Sequence, residues 1–134
     1  VLQDEDTSAH RAACQALGAI GDPQAIPLLV QVLQDEDTSA HRAACQALGE
    51  IGDPQAILLL TLALQCEDSC VRWMACEALG MTGNPQVIPH LAQALKDEDS
   101  IVREEAREAL EAIGDPQAIP YLIQILLDAH SRRA

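Results

Sequence analysis

The stretch DEDTSAHRAACQALG occurs twice, at residues 4–18 and 35–49, and stepping by 31 aligns the rest of the 134-residue chain without an insertion. The units are 4–34, 35–65, 66–96 and 97–127. The first two agree at 26 of 31 positions and the others keep the skeleton. A fixed period of this length marks a solenoid, in which each unit buries its apolar face against its neighbours. Val1-Leu2-Gln3 matches Val32-Leu33-Gln34, so residues 1–3 read as the end of a preceding repeat and the chain as a piece of a longer array.

Each unit reads as two helices. Asp6, Asp37, Asp68 and Asp99 share one register and suit an N-cap, where a carboxylate also complements the helix dipole. Ala9, Ala13, Ala16, Leu17 and Ile20 then recur at helical spacing as an apolar stripe. Gly21 is placed to end the first helix, and Asp22-Pro23 to cap and start the second. Ile26, Leu29 and Leu33 form the second helix's stripe and recur at 57/60/64, 88/91/95 and 119/122/126. Pro27, Pro89 and Pro120 sit where a helix tolerates proline only near its start, which predicts a loose first turn. Gly18, Gly49 and Gly80 fall inside the first helix at a propensity cost of about 1 kcal/mol each, and close helix–helix approach is the compensating reason. The chain has no Phe, one Trp and one Tyr, so its core is built from small aliphatic residues, as closely packed helices require.

The last unit differs in a way that fits a terminus. Cys14, Cys45 and Cys76 share a position that becomes Arg107 in unit four, and the in-helix glycine becomes Glu111. Charge there is expected of a capping repeat, which makes 97–127 the C-terminal cap and 128–134 a short tail.

Charge narrows the partners. A formal net charge of −13 opposes a nucleic-acid backbone and an anionic membrane surface. A protein or peptide partner is expected, and a basic segment matches the charge. No apolar run approaches membrane-spanning length, and no apolar leader with basic flanks opens the chain. Five cysteines without a disulfide-like framework point to a reducing compartment and a cytoplasmic location.

Candidate chemistry is sparse. Register-equivalent cysteines on packed helices lie on the order of 10 Å apart, beyond disulfide reach, so the ladder reads as small buried thiols. Cys66 and Cys70 form a lone C-x3-C without a nearby His, which is weak evidence for zinc. His10 and His41 lie one repeat apart and cannot share a metal. The acidic runs at 4–6, 35–37, 66–68 and 97–99 read as caps and a solvated ridge, and lack the glycine and alternation of a calcium loop. No phosphate loop, nucleophile elbow or Ser/His/Asp arrangement is present. No cofactor, catalytic residue or metal ligand is assigned.

DEDSIVREEAREALEAIGDPQAIPYLIQIL and VRWMACEALGMTGNPQVIPHLAQAL resemble the short HEAT-like repeats named after phycobilisome bilin lyases, over residues 4–127. The resemblance implies an all-α, right-handed α-solenoid of four two-helix repeats. It implies a non-catalytic interaction scaffold or recognition array, with two alternatives. One is a lyase-type subunit binding a tetrapyrrole bilin and its acceptor protein; the other is a sensor array on a signalling NTPase. Di-iron deoxyhypusine hydroxylases of this repeat type carry adjacent His-Glu pairs, and this chain has none, so no enzyme activity is expected. The sequence departs from the pattern at Asn84 for Asp, Thr82 for Ile, Leu58 for Pro, and His10 and His41 for the Arg kept at 72 and 103. That Arg commonly pairs with Asp carboxylates in such arrays, so pairing is expected to be weaker in units one and two.

In solenoids of this type the second helices line the concave side. Positions that vary there while the frame holds are the expected binding surface: Leu28, Leu59, Leu62, His90, Gln93, Tyr121 and Gln124. A second candidate lies on the outer face of unit three, where Trp73 replaces Arg11 and Arg42, with Met74 and Met81 nearby.

Overall fold

A glycine and a capping side chain break the chain at the same register in every repeat. Gly21, Gly52, Gly83 and Gly114 have φ of +76, +61, +64 and +66°, the left-handed conformation that ends a helix. The next residue, Asp22, Asp53, Asn84 or Asp115, accepts a hydrogen bond from the backbone N–H two residues on, at 2.8–2.9 Å. The computed structural model describes residues 2–34 and 40–133, with side-chain burial over 8–34 and 40–128. Among the described residues the elements are α1 (Leu2–Ile20), α2 (Ile26–Gln34), α3 (His41–Ile51), α4 (Pro54–Ala63), α5 (Ser69–Thr82), α6 (Ile88–Ala94), α7 (Ser100–Ile113) and α8 (Ile119–Arg133). The protein is an all-α solenoid of helix pairs. No described helix is long and apolar enough to cross a membrane.

The expected caps of the first helices hold in units three and four. Asp68 accepts from the Cys70 N–H at 2.8 Å, and Asp99 from Ile101 at 2.8 Å and Val102 at 3.3 Å. Asp37 lies outside the described residues. Asp6 is not at a helix start: α1 runs through it from Leu2. Nothing in Leu-Gln-Asp-Glu breaks a helix, and acidic residues suit a helix N-terminus.

The loose turn before the second helix is a short 3-10 segment at Pro23–Ala25, Pro85–Val87 and Pro116–Ala118. In those repeats the proline that follows has no N–H to give to the carbonyl four residues back. Leu58 restores that donor in unit two, and α4 is regular from Pro54, with the Ile57 N–H on the Asp53 carbonyl at 2.9 Å.

Packing follows from the glycines. The first helices α1, α3, α5 and α7 stack side by side, while α2, α4 and α6 each pack on the first helix of the following repeat. A Cβ built on Gly18 would stand 2.8 Å from Ala47 Cα, one on Gly49 2.6 Å from the Ala78 carbonyl oxygen, and one on Gly80 2.8 Å from Ala109 Cα. Between the two helix layers, Leu29, Leu48, Leu60, Leu79, Leu91 and Leu110 are fully buried. Each contributes about 2 kcal/mol of burial. Cys14, Cys45 and Cys76 are buried at the same junctions.

Two core expectations are corrected. The alanine stripe is buried only where a preceding repeat stacks against it. Ala44, Ala75 and Ala106 are buried, as are Ala47, Ala78 and Ala109, but in unit one Ala9, Ala13 and Ala16 are exposed and Ile20 is 73% exposed. The second-helix stripe likewise depends on the following repeat: Ile26 and Ile88 are buried, whereas Ile119 and Leu126 are exposed. The polar character expected of unit four is confined to its first helix. Arg107 and Glu111 make α7 polar where Cys76 and Gly80 are buried, but α8 keeps Ile119, Ile123, Leu126 and Leu127 exposed. The expected tail is helical from Asp128 to Arg133, continuing α8. The register of the capping Asp99 is held there by His130, so no new helix start is specified.

Candidate functional site

The second helices carry the candidate residues, and the caps described above aim them. Leu28 and Leu62 are more than half exposed, Tyr121 is 39% exposed, and His90, Gln93 and Gln124 are exposed. These six lie open on the second helices. Leu59 is the correction: it is half-buried and packs against the core. Its register mates Leu28, His90 and Tyr121 all follow a 3-10 turn and a proline. In α4 the regular helix start turns Leu59 inward, leaves Ile57 half-buried, and puts Leu58 outward at 57% exposure. Leu58 was thus missed as a surface residue. Its signal was in plain view, as a leucine at a register that is proline in the other three units.

The six residues do not converge on one pocket. Because successive second helices touch far less than successive first helices, shallow grooves open between them. His90 and Gln93 share one of about 170 Å³ with Leu64 and Ala94. Tyr121 and Gln124 share another of about 310 Å³ with Ala92 and Leu95. Leu28 instead lines a cleft of about 340 Å³ between α1 and α2 of unit one, with Leu17, Leu29 and Val32. Two neighbouring part-apolar grooves between second helices are a shape that an extended chain or helix can cross.

The outer-face candidate has an internal explanation. Arg42, one repeat before Trp73 at the same register, lays its guanidinium 5.2 Å from the indole centroid. The same guanidinium holds Glu77 by two bonds of 2.6 and 3.0 Å, and Gln46 adds a third at 3.0 Å. The Arg42 bonds hold the Glu77 carboxyl below its ordinary pKa. Burial, with Glu108 and Glu77 nearby, pushes Glu105 up. Trp73 and Met74 pack against the core, and of the three only Met81 is exposed, at 45%.

The thiols buried at the repeat junctions are chemically quiet. Burial pushes Cys45 and Cys76 up to about 12, so the thiolate needed for nucleophilic or ligand chemistry is disfavoured. Among the described residues no three His, Cys, Asp or Glu side chains come together in a metal-binding arrangement. The expected Arg–Asp pairing is seen in unit three, where Arg72 meets Asp97 at 2.9 Å. In unit two His41 is buried at the Arg72 register, and Cys66 stands at the Asp97 register, so both partners of that pair are replaced together.

A family model described as HEAT repeats matches residues 1–69 and 57–134. No curated protein matches the chain.

Proposed function

The chain belongs to the HEAT-repeat family, whose repeats serve as interaction scaffolds, and on that premise we propose that it binds a peptide or protein segment along its second-helix face. The observation that carries this is the run of exposed Leu28, Leu58, Leu62, His90 and Tyr121, one or more per repeat, with grooves between second helices beside His90 and Tyr121. Apolar and aromatic side chains left open at the register where repeats differ suit an anchor role, and tyrosine is a favoured anchor. The net charge of −13 favours basic residues in the bound segment.

Selection of a displayed peptide library on the immobilised chain, followed by affinity measurement, tests the proposal. Leu62→Asp and Tyr121→Ala should each weaken the selected peptides by about tenfold or more while the helical circular dichroism stays unchanged. Leu59→Asp is unsuitable, because that side chain packs against the core. Peptides that bind both variants as well as the parent would remove the second-helix face from consideration. A free bilin whose absorption spectrum shifts on mixing would instead favour the lyase-type function.

A further inference from the structure

Between α3 and α5 the first helices grip a carboxylate. Arg42 Nε and Nη2 donate to Glu77 Oε1 and Oε2 at 3.0 and 2.6 Å, and Gln46 Nε2 donates to Oε1 at 3.0 Å. An arginine and a glutamine one turn apart on the earlier helix thus hold a glutamate on the later one.

One repeat earlier the donors are repeated and the acceptor is not. Arg11 and Gln15 on α1 hold the registers of Arg42 and Gln46, while the register of Glu77 is filled by Gln46 on α3. The Gln46 amide is itself turned to Glu77. Among the described residues Arg11 forms no ion pair. Further repeats at either end of the array leave this junction as it is. The helix that must supply the acceptor here is α3, which is in place, and a preceding repeat would stack on the opposite side of α1, where Ala9, Ala13 and Ala16 are exposed.

Arg11 and Gln15, both exposed, border a groove of about 390 Å³ between α1 and α3, lined also by Arg42, Gln46 and the buried Ala43. No described carboxylate lines it. Arg42 is compensated by Glu77, which leaves Arg11 as the uncompensated cation, with neutral amides beside it. In a chain with 21 acidic residues against 8 basic ones, a concave place of this composition stands apart from the rest of the surface.

We propose that this groove is a docking subsite for a glutamate side chain of a partner protein, held by Arg11 and Gln15 as Glu77 is held by Arg42 and Gln46. The Glu77 clamp supplies the geometry, a two-point guanidinium–carboxylate pair with an amide donor on one oxygen. One uncompensated guanidinium balances one carboxylate, whereas a phosphate group of charge near −2 would be left in excess. A second copy of the chain is disfavoured as the occupant by mutual repulsion of two strongly acidic molecules. The same repulsion requires neutral or basic residues around the partner's glutamate. None of the lining residues belongs to the second-helix face.

The probe is a displayed library of short peptides, selected on the whole immobilised chain and counter-selected on its Arg11→Gln variant. Arg11 is exposed, so the variant should keep the parent's helical signal. Counter-selection removes every peptide held by the second-helix face alone, so the result stands whether or not that face binds. The surviving peptides should carry a glutamate. Its replacement by Gln, and Arg11→Gln in the chain, should each weaken binding by about tenfold, and the two together by little more than either alone, the mark of a direct pair. Arg11→Lys should recover only part of the loss, since an ammonium cannot form the two-point pair. No surviving peptide, survivors without a glutamate, or losses that multiply would each overturn the proposal. Inorganic phosphate that displaces the peptides more than chloride does at equal ionic strength would overturn the choice of a carboxylate. Self-association of the free chain that disappears in Arg11→Gln would overturn the choice of a partner protein.

Discussion

Replacing Gly49 by alanine sets two magnitudes against each other. Inside an α-helix the change gains about 0.5–1 kcal/mol from reduced backbone freedom in the unfolded chain and better helix propensity. Against that, the new methyl would stand 2.6 Å from the Ala78 carbonyl oxygen and 3.2 and 3.3 Å from its C and Cα. All three are backbone atoms of α5, so no side chain can swing aside. Ordinary contact begins near 3.4 Å, and the helices must part by roughly 0.5–1 Å, a gap that forfeits a quarter to a half of each contact it opens. The contacts at stake are those of Cys45, Ala47 and Leu48, all buried at this junction. Overpacking of this kind costs about 1–3 kcal/mol, so Gly49→Ala should destabilise the protein by about 1–2 kcal/mol net. Urea unfolding followed by circular dichroism measures it, with an unchanged m-value showing that only stability moved. Glu111→Ala is the control at the same register in unit four, where the side chain is exposed, and should stay within about 0.5 kcal/mol of the parent. A Gly49→Ala variant as stable as the parent, or more so, would refute the claim that backbone approach dictates this glycine.

The acid limb of stability should depend on Asp97. Burial works to raise its carboxyl, but the Arg72 and Asp99 bonds and the charges of Arg72 and Arg103 outweigh it, and its pKa is lowered. A group held low in the folded state stabilises fully above its unfolded pKa and loses that contribution as pH falls through the folded value. The urea midpoint should therefore drop below about pH 4 in the parent, and Asp97→Asn should lower the midpoint at neutral pH while flattening the drop. The cysteines should separate in a thiol-labelling time course under native conditions. Cys70, which is exposed, should react first, whereas Cys45 and Cys76 should react only as fast as the protein opens. Labelling of all five at one rate would contradict the buried ladder.

What the sequence disclosed was chemistry confined to one turn of chain. Gly21 with Asp22, and Asp68 or Asp99 ahead of the next helix, satisfy local backbone groups and need no distant partner to be recognised. The glycines at 18, 49 and 80 were readable too, because a helix keeps a costly residue only where a neighbour demands it. Burial was less legible. Ala13 and Ala44 sit in identical fifteen-residue contexts, yet one is exposed and the other buried. The difference lies in what stacks against each, which no local pattern contains. Leu59 was misplaced for a subtler reason. Its register was aligned on units whose second helix opens with a 3-10 turn and a proline, an opening that α4 lacks.

The same reasoning separates structural from functional departures among the copies. Trp73 looked like an exposed anchor because its register is charged elsewhere, but Arg42 at the preceding register covers it, so the substitution is answered within the array. His41 and Cys66 replace an Arg–Asp pair together, so the departure at one register is matched at the other. Leu62 and Tyr121 are different, because no described neighbour buries them. In a repeat protein, where each position is solved once and copied, a departure that no adjacent copy compensates is the strongest pointer to a partner outside the fold.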